Sequence, residues 1–152
     1  MTDNTDRVRR STADDVNAEL DEQRVADVAR YASAPPDEIT QRLRELDKEW
    51  DIERVLEANA ATLALIGQLL SSRSRLWRAV TVIIPAFLLQ HAIQGWCPPI
   101  AIFRRLGIRT RREIDAERTA LKALRGDFTG VTPYGTSART AAEGALRAAG
   151  TR

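Results

Sequence analysis

The chain has 152 residues, 43% apolar, 29% charged and 5% aromatic, enough for one ordinary domain and too little for two large ones. Cys97 and His91 are the single cysteine and the single histidine, which excludes a disulfide framework and a structural zinc site of about four such ligands. The net charge of +2 conceals an asymmetry, because residues 1–54 hold 15 acids against 9 bases and residues 55–152 hold 6 acids against 14 bases. No metal, cofactor or catalytic set is expected from such a chain.

Residues 1–12 (MTDNTDRVRRST) are polar and aperiodic, the pattern of a disordered arm. Residues 1–34 contain no apolar run, so no cleaved export signal is expected. A helix is expected after Thr12, which can cap it, with Val16, Leu20, Val25, Val28, Ala29 and Ala32 on one face. Pro35-Pro36 stops it, and a second helix restarts there with Asp37 and Glu38 favouring its dipole. Ile39, Leu43, Leu46 and Trp50 follow at spacings of 4, 3 and 4, a one-sided stripe. Residues 13–50 thus form an acidic amphipathic helical region whose apolar stripe could take a protein partner.

The pattern then changes. Ala58 to Ser72 is uncharged for 15 positions and apolar nearly all round, and Arg73, Arg75 and Arg78 follow as a basic loop. Ala79 to Phe103 is a 25-residue stretch without Asp, Glu, Lys or Arg. Cys97-Pro98-Pro99 must break its helix, leaving a continuous segment from Leu76 to Gly95, roughly 30 Å long at 1.5 Å per residue. Beyond it lie Arg104, Arg105, Arg109, Arg111 and Arg112; Thr110 and Glu113 have capping-box spacing, and Ile114, Leu121 and Leu124 share a face of a helix ending near Gly126. Residues 129–152 are small and weakly apolar, the composition of a flexible tail with transient helix around Thr140 to Ala149.

A bilayer core of about 30 Å needs about 20 mainly apolar residues. The second uncharged run meets that length. The first falls short, at roughly 22 Å for its 15 residues, and requires local thinning or snorkelling of its ends. A soluble bundle with both runs in its core is the alternative, but a helix with a water-facing side should not lack charge over 25 positions. The expected fold is therefore all-α, a two-helix transmembrane hairpin with flanking amphipathic helices.

Arg42, Arg44, Lys48 and Arg54 before the hairpin and six arginines at 104–118 after it, against three in the loop, put both termini on the cytoplasmic side. An antiparallel hairpin turning near residues 73–75 pairs positions whose numbers add to about 148. That gathers Glu57, Asn59, Gln90, His91 and Gln94 into an intramembrane polar cluster, read as packing glue. The basic run at 104–125 is expected to meet anionic lipid headgroups through Arg104, Arg105, Arg109, Arg111 and Arg112, with Ile114, Leu121 and Leu124 dipping into the interface. It lacks a base-reading motif and stacking aromatics, so no nucleic acid is expected.

The segment IERVLEANAATLALIGQLL, a short loop, an apolar helix and then GWCPPIAIFRRLGIRT together resemble the YgaP-like transmembrane domain family of small bacterial inner-membrane units. Gly95, Trp96, Cys97 and Pro98, then Leu106, Gly107 and Ile108 with Arg109 and Thr110, carry the resemblance, which covers about half the chain at 51–128. It implies a self-associating helical hairpin of unassigned biochemistry in the inner membrane, sometimes fused to a rhodanese domain that this chain has no room for. Ala60, Ala64 and Gly67 offer a small-residue surface for close helix contact. The expected role is a non-enzymatic membrane scaffold or anchor. Two alternatives stand beside it: a sulfur-relay or redox accessory using Cys97, whose thiolate Arg104 and Arg105 would favour, and a soluble helical adaptor.

Overall fold

The computed structural model describes residues 6–131 and 138–150, and throughout them the regular structure is helical. Local chemistry sets the boundaries. Asp6 starts α1 (Arg7–Arg10) by accepting from the Val8 and Arg9 amides at 3.1 Å each. α2 spans Asp14–Arg30, and α3 (Pro36–Leu46) opens on the prolines as expected. Asp51 caps α4 (Ile52–Leu70) through the Arg54 amide, and Ser74 caps α5 (Arg75–Gln94) through the Trp77 amide. α5 continues through Pro85 and ends at Gly95, whose φ of 75° is the left-handed conformation that closes a helix. α6 (Pro98–Arg105), α7 (Arg111–Arg125) and α8 (Ala138–Gly150) complete the described chain.

One sequence expectation about the ends gives way. Residues 6–12 are not a disordered arm: Val8 is buried in an apolar core, and the Thr12 hydroxyl donates to the Val8 carbonyl at 2.7 Å. A single apolar residue on a capped turn is invisible to periodicity, yet tertiary packing is sufficient to order it. In the tail, α8 covers the stretch around Thr140 to Ala149 where transient helix is expected; Ala148 is buried and Lys122 Nζ donates to the Ala149 carbonyl at 2.5 Å. Residues 1–5, 132–137 and 151–152, also assigned to arm and tail, lie outside the described residues.

The chain divides into two compact units that interleave along the sequence instead of following the expected boundaries at 12, 50 and 128. Residues up to Leu20 with Trp50–Arg112 form the first, and Asp21–Glu49 with residues from Glu113 onward form the second. In the first, α4 and α5 pack as an antiparallel hairpin and α6 packs on α4. Gly67 sets the closeness: a Cβ there would lie 3.1 Å from Val80 Cγ1 and 3.2 Å from Thr81 Cγ2, the register expected from the 148 rule. Gly67 of the small-residue surface is thus spent inside the hairpin. At the far end of the hairpin Val8, Ile52, Leu56, Cys97 and Ile100 form a core, with Phe103 and Ile108 against it.

In the second unit Ile39, Leu43 and Leu46 of α3 join Ile114 and Leu121 of α7, with Tyr31 and Ala34 packed alongside. Arg42 Nε donates to Glu117 Oε1 at 3.0 Å, and Arg118 pairs with Asp47. This bears on two expectations at once. The apolar stripe of α3 is covered by the chain's own α7. Ile114 and Leu121 lie in that core instead of dipping into lipid, and only Leu124 is exposed. Trp50 leaves the stripe as well, because α3 ends at Leu46; its ring stacks under Arg54, with the guanidinium carbon 4.3 Å from the centroid.

The all-α class holds, while the two-helix transmembrane detail is narrowed to one candidate span among the described residues, α5. α4 misses because each 18-residue stretch of its 19 residues contains Glu53, Arg54 and Glu57. None of the apolar span of α5 is buried within the chain.

Candidate functional site

The end of the hairpin away from its loop carries the most elaborate polar construction of the first unit. Four C-terminal carbonyls of any helix lack intrahelical partners. For α5 the Gly95 amide answers the His91 carbonyl at 2.7 Å, and Arg7 Nη1 donates to Ala92 O at 2.7 Å and Ile93 O at 3.2 Å. The guanidinium places a positive charge where the helix dipole is negative. Gly95 is required here twice over: by its positive φ, and because a Cβ would stand 2.3 Å from Arg7 Cβ.

Around this junction lies a cavity of about 280 Å³, lined among others by Arg7, Glu53, His91, Thr110, Arg111 and Arg112. Asp6 also lines it, but its carboxylate is engaged, accepting from two amides through Oδ1 and from the Thr110 hydroxyl through Oδ2 at 2.8 Å. The His91 side chain is buried, and its Nδ1 has no hydrogen-bond partner among the described residues. Three guanidinium groups and two carboxylates line it, and Arg111 and Arg112 have interactions of their own.

A second hollow, of about 200 Å³ and almost wholly apolar in lining, is flanked by Leu56, Ala60 and Leu63 of α4, Ile84 and Leu88 of α5, and Cys97. Both hollows draw residues from α4 and α5. Glu53, Leu56, Ala60 and Leu63 share one face of α4, and His91, Leu88 and Ile84 share one face of α5. The two hollows share no lining residue.

The residues singled out from sequence are dispersed by this arrangement. Of the expected headgroup arginines, Arg105, Arg111 and Arg112 are exposed. Arg104 is 1% exposed and donates to Ile108 O and Asn17 Oδ1, and Arg109 is also buried, its carbonyl accepting from the Ile52 amide. These two are buried and brace the fold. The polar cluster is likewise divided. Gln90 Nε2 donates to Gln94 Oε1 at 3.5 Å, Asn59 borders the apolar groove, and His91 joins the polar cavity, with Glu57 still in its electrostatic reach.

Gly95, Trp96, Cys97, Pro98 and Gly107 have separate structural duties. Gly95 closes α5, Trp96 is exposed, Cys97 is buried in the core, Pro98 begins α6 and Gly107, at φ 83°, follows its last turn. Burial pushes the Cys97 thiol above its ordinary value, against a smaller opposing hydrogen bond from the Ile100 backbone. Of the arginines beside it in sequence, Arg104 donates to Asn17 and Ile108 instead. Asp6 and Arg7 were missed entirely in the sequence reading; the only available signal was an N-capping aspartate ahead of a single valine.

No protein-family model, curated protein or solved structure matches the chain.

Proposed function

We propose that the chain is a small integral protein of the bacterial inner membrane, anchored by the α4–α5 hairpin and acting as a self-associating, non-enzymatic scaffold. The observation that carries this reading is α5. It is 20 residues long, free of charge from Ala79 onward, and no residue from Ala79 to Leu89 is fully buried by the chain. The core helix of a water-soluble bundle would be covered. Leu65, Leu69, Val82, Leu89 and Ile93 all stand exposed along the hairpin, a continuous apolar exterior suited to hydrocarbon or to a second copy.

α4 enters with α5 because the two are packed through Gly67. Its uncharged part, Ala58 to Leu70, extends roughly 20 Å, so the bilayer thins around it or Glu53, Arg54 and Glu57 mark the boundary. With the basic segments flanking the hairpin held inside, both termini are cytoplasmic. The resemblance of Ile52–Phe128 to the YgaP-like transmembrane domain family supports the same assignment, and the buried Cys97 weighs against the sulfur-relay alternative.

Fractionation of expressed protein tests the reading. The chain is expected in carbonate-washed membranes, with reporters fused to either end active only on the cytoplasmic side. A monodisperse protein from detergent-free lysate overturns membrane insertion, and reporters on opposite sides reduce the hairpin to a single crossing by α5.

A further inference from the structure

α6 carries apolar side chains on two sides. Ile100 is buried with Ile52 and Leu56 of α4, Phe103 packs against the same core, and Arg104 beside them is buried as well. On the other side Ile102 and Leu106 are 61% and 70% exposed, with the exposed Arg105 between them, a face set by spacings of 3 and 4 from Ile102. We propose that α6 is an in-plane interfacial helix, its outer face seated where the headgroups meet the acyl chains of the membrane that α5 crosses. The inference rests on the membrane reading above and deepens it, by assigning an element that meets lipid without crossing it.

Three observations favour lipid as the occupant. The first is height. Through Ile100, α6 is fixed to Ile52 and Leu56, which alternate along α4 with Glu53, Arg54 and Glu57, where that helix passes from charged to apolar. The second is the placing of the tryptophans, a residue type that favours both membrane–water boundaries. Trp50, just before the cap of α4, and Trp96, just after Gly95, are 48% and 41% exposed at this end of the hairpin, and Trp77 stands near the start of α5. From Trp77 to Gly95 the helix rises roughly 27 Å, against about 30 Å for a hydrocarbon core. The third is charge: residues 58–112 contain no Asp or Glu, so the stretch through α6 brings no carboxylate to an anionic surface, while Arg105 suits one. A second copy laid on this face would cover Ile102 and Leu106 and leave the tryptophans unexplained.

The test places tryptophan reporters in the full chain, reconstituted into vesicles of phosphatidylcholine and phosphatidylglycerol whose bromine atoms sit either close to the glycerol or midway along the acyl chains. Trp50→Phe with Trp77→Phe leaves Trp96 as a reporter and α6 itself unaltered. Adding Trp96→Phe together with Ile102→Trp, Leu106→Trp or Phe87→Trp moves the reporter to the outer face of α6 or to the middle of α5. Trp96, Ile102→Trp and Leu106→Trp should each be quenched about twofold more by the shallow bromines, since the apolar face of an in-plane helix enters the boundary by only about 5–10 Å. Phe87→Trp should be quenched more by the deep ones. Ile102→Trp and Leu106→Trp quenched as deeply as Phe87→Trp would put α6 inside the span and overturn the proposal. Quenching of neither overturns it too, in favour of a water-facing helix where aqueous acrylamide reaches both reporters, and in favour of a second copy where it reaches neither. Phe87→Trp separates the two readings: deep quenching there beside unquenched α6 reporters sinks this inference alone, whereas no quenching at Phe87→Trp sinks both.

Discussion

The α3–α7 pair and the α4–α5 hairpin solve the same problem differently. Both consist of helices with ample apolar side chains. In the first, the apolar residues occupy one stripe, and Ile39, Leu43, Leu46, Ile114 and Leu121 cover one another. In the second, apolar residues surround the helices, so packing α4 on α5 covers one side of each and leaves Leu69, Val82 and Leu89 outside. A stripe can be buried by one partner, whereas a cylinder needs neighbours on every side or a solvent that is itself apolar.

The strongest way to break the comparison is to place charge on both kinds of surface. Val82→Arg combined with Leu89→Arg is expected to disfavour insertion by about 6 kcal/mol, roughly 3 kcal/mol for each arginine in a transmembrane helix, read as loss of the carbonate-resistant fraction. If α5 faces water, the same pair of changes leaves fractionation and folding unaltered. Leu43→Ala attacks the other region, removing a side chain that is 1% exposed. It should destabilise the second unit by about 3 kcal/mol in thermal unfolding followed by tertiary circular dichroism, with membrane retention preserved.

A smaller effect sharpens the role of the hairpin's end. Gly95→Ala must accept a positive φ and a collision with Arg7, and should cost about 2 kcal/mol and expose α1 to trypsin at Arg7, Arg9 and Arg10. Gly107→Ala carries only the backbone cost, about 1 kcal/mol, since nothing lies within 4 Å of the added Cβ. Equal tryptic sensitivity of the two variants would separate Gly95 from the docking of α1.

The smallest effect concerns Cys97. Its folded-state pKa is raised, so the folded chain favours the neutral thiol. The associated stability is present below the unfolded thiol's pKa, about 8.5, and is lost as pH rises above it. Alkylation by iodoacetamide should accordingly run at least tenfold slower than for a free thiol at about pH 8, because both the thiolate fraction and access are reduced. A rate matching the free thiol would restore the redox alternative.

The sequence by itself determined α2 to α5 and α7 and most of their ends. Proline pairs, capping aspartates and serines, and Gly95 act within a few residues, so their consequences do not wait for the rest of the chain. It also determined that α5 is a cylinder and α3 a stripe. Only the tertiary structure decided which surfaces remain outside. The pairing of α3 with α7 joins positions some 75 apart, as in Arg42 with Glu117, and no local pattern states which apolar face will meet which. The polar cavity depended on the same kind of information, because Arg7 reaches Ala92 across 85 positions. Asp6, Thr110 and His91 become neighbours only when helix ends from three parts of the chain converge on one set of unsatisfied carbonyls and one small core.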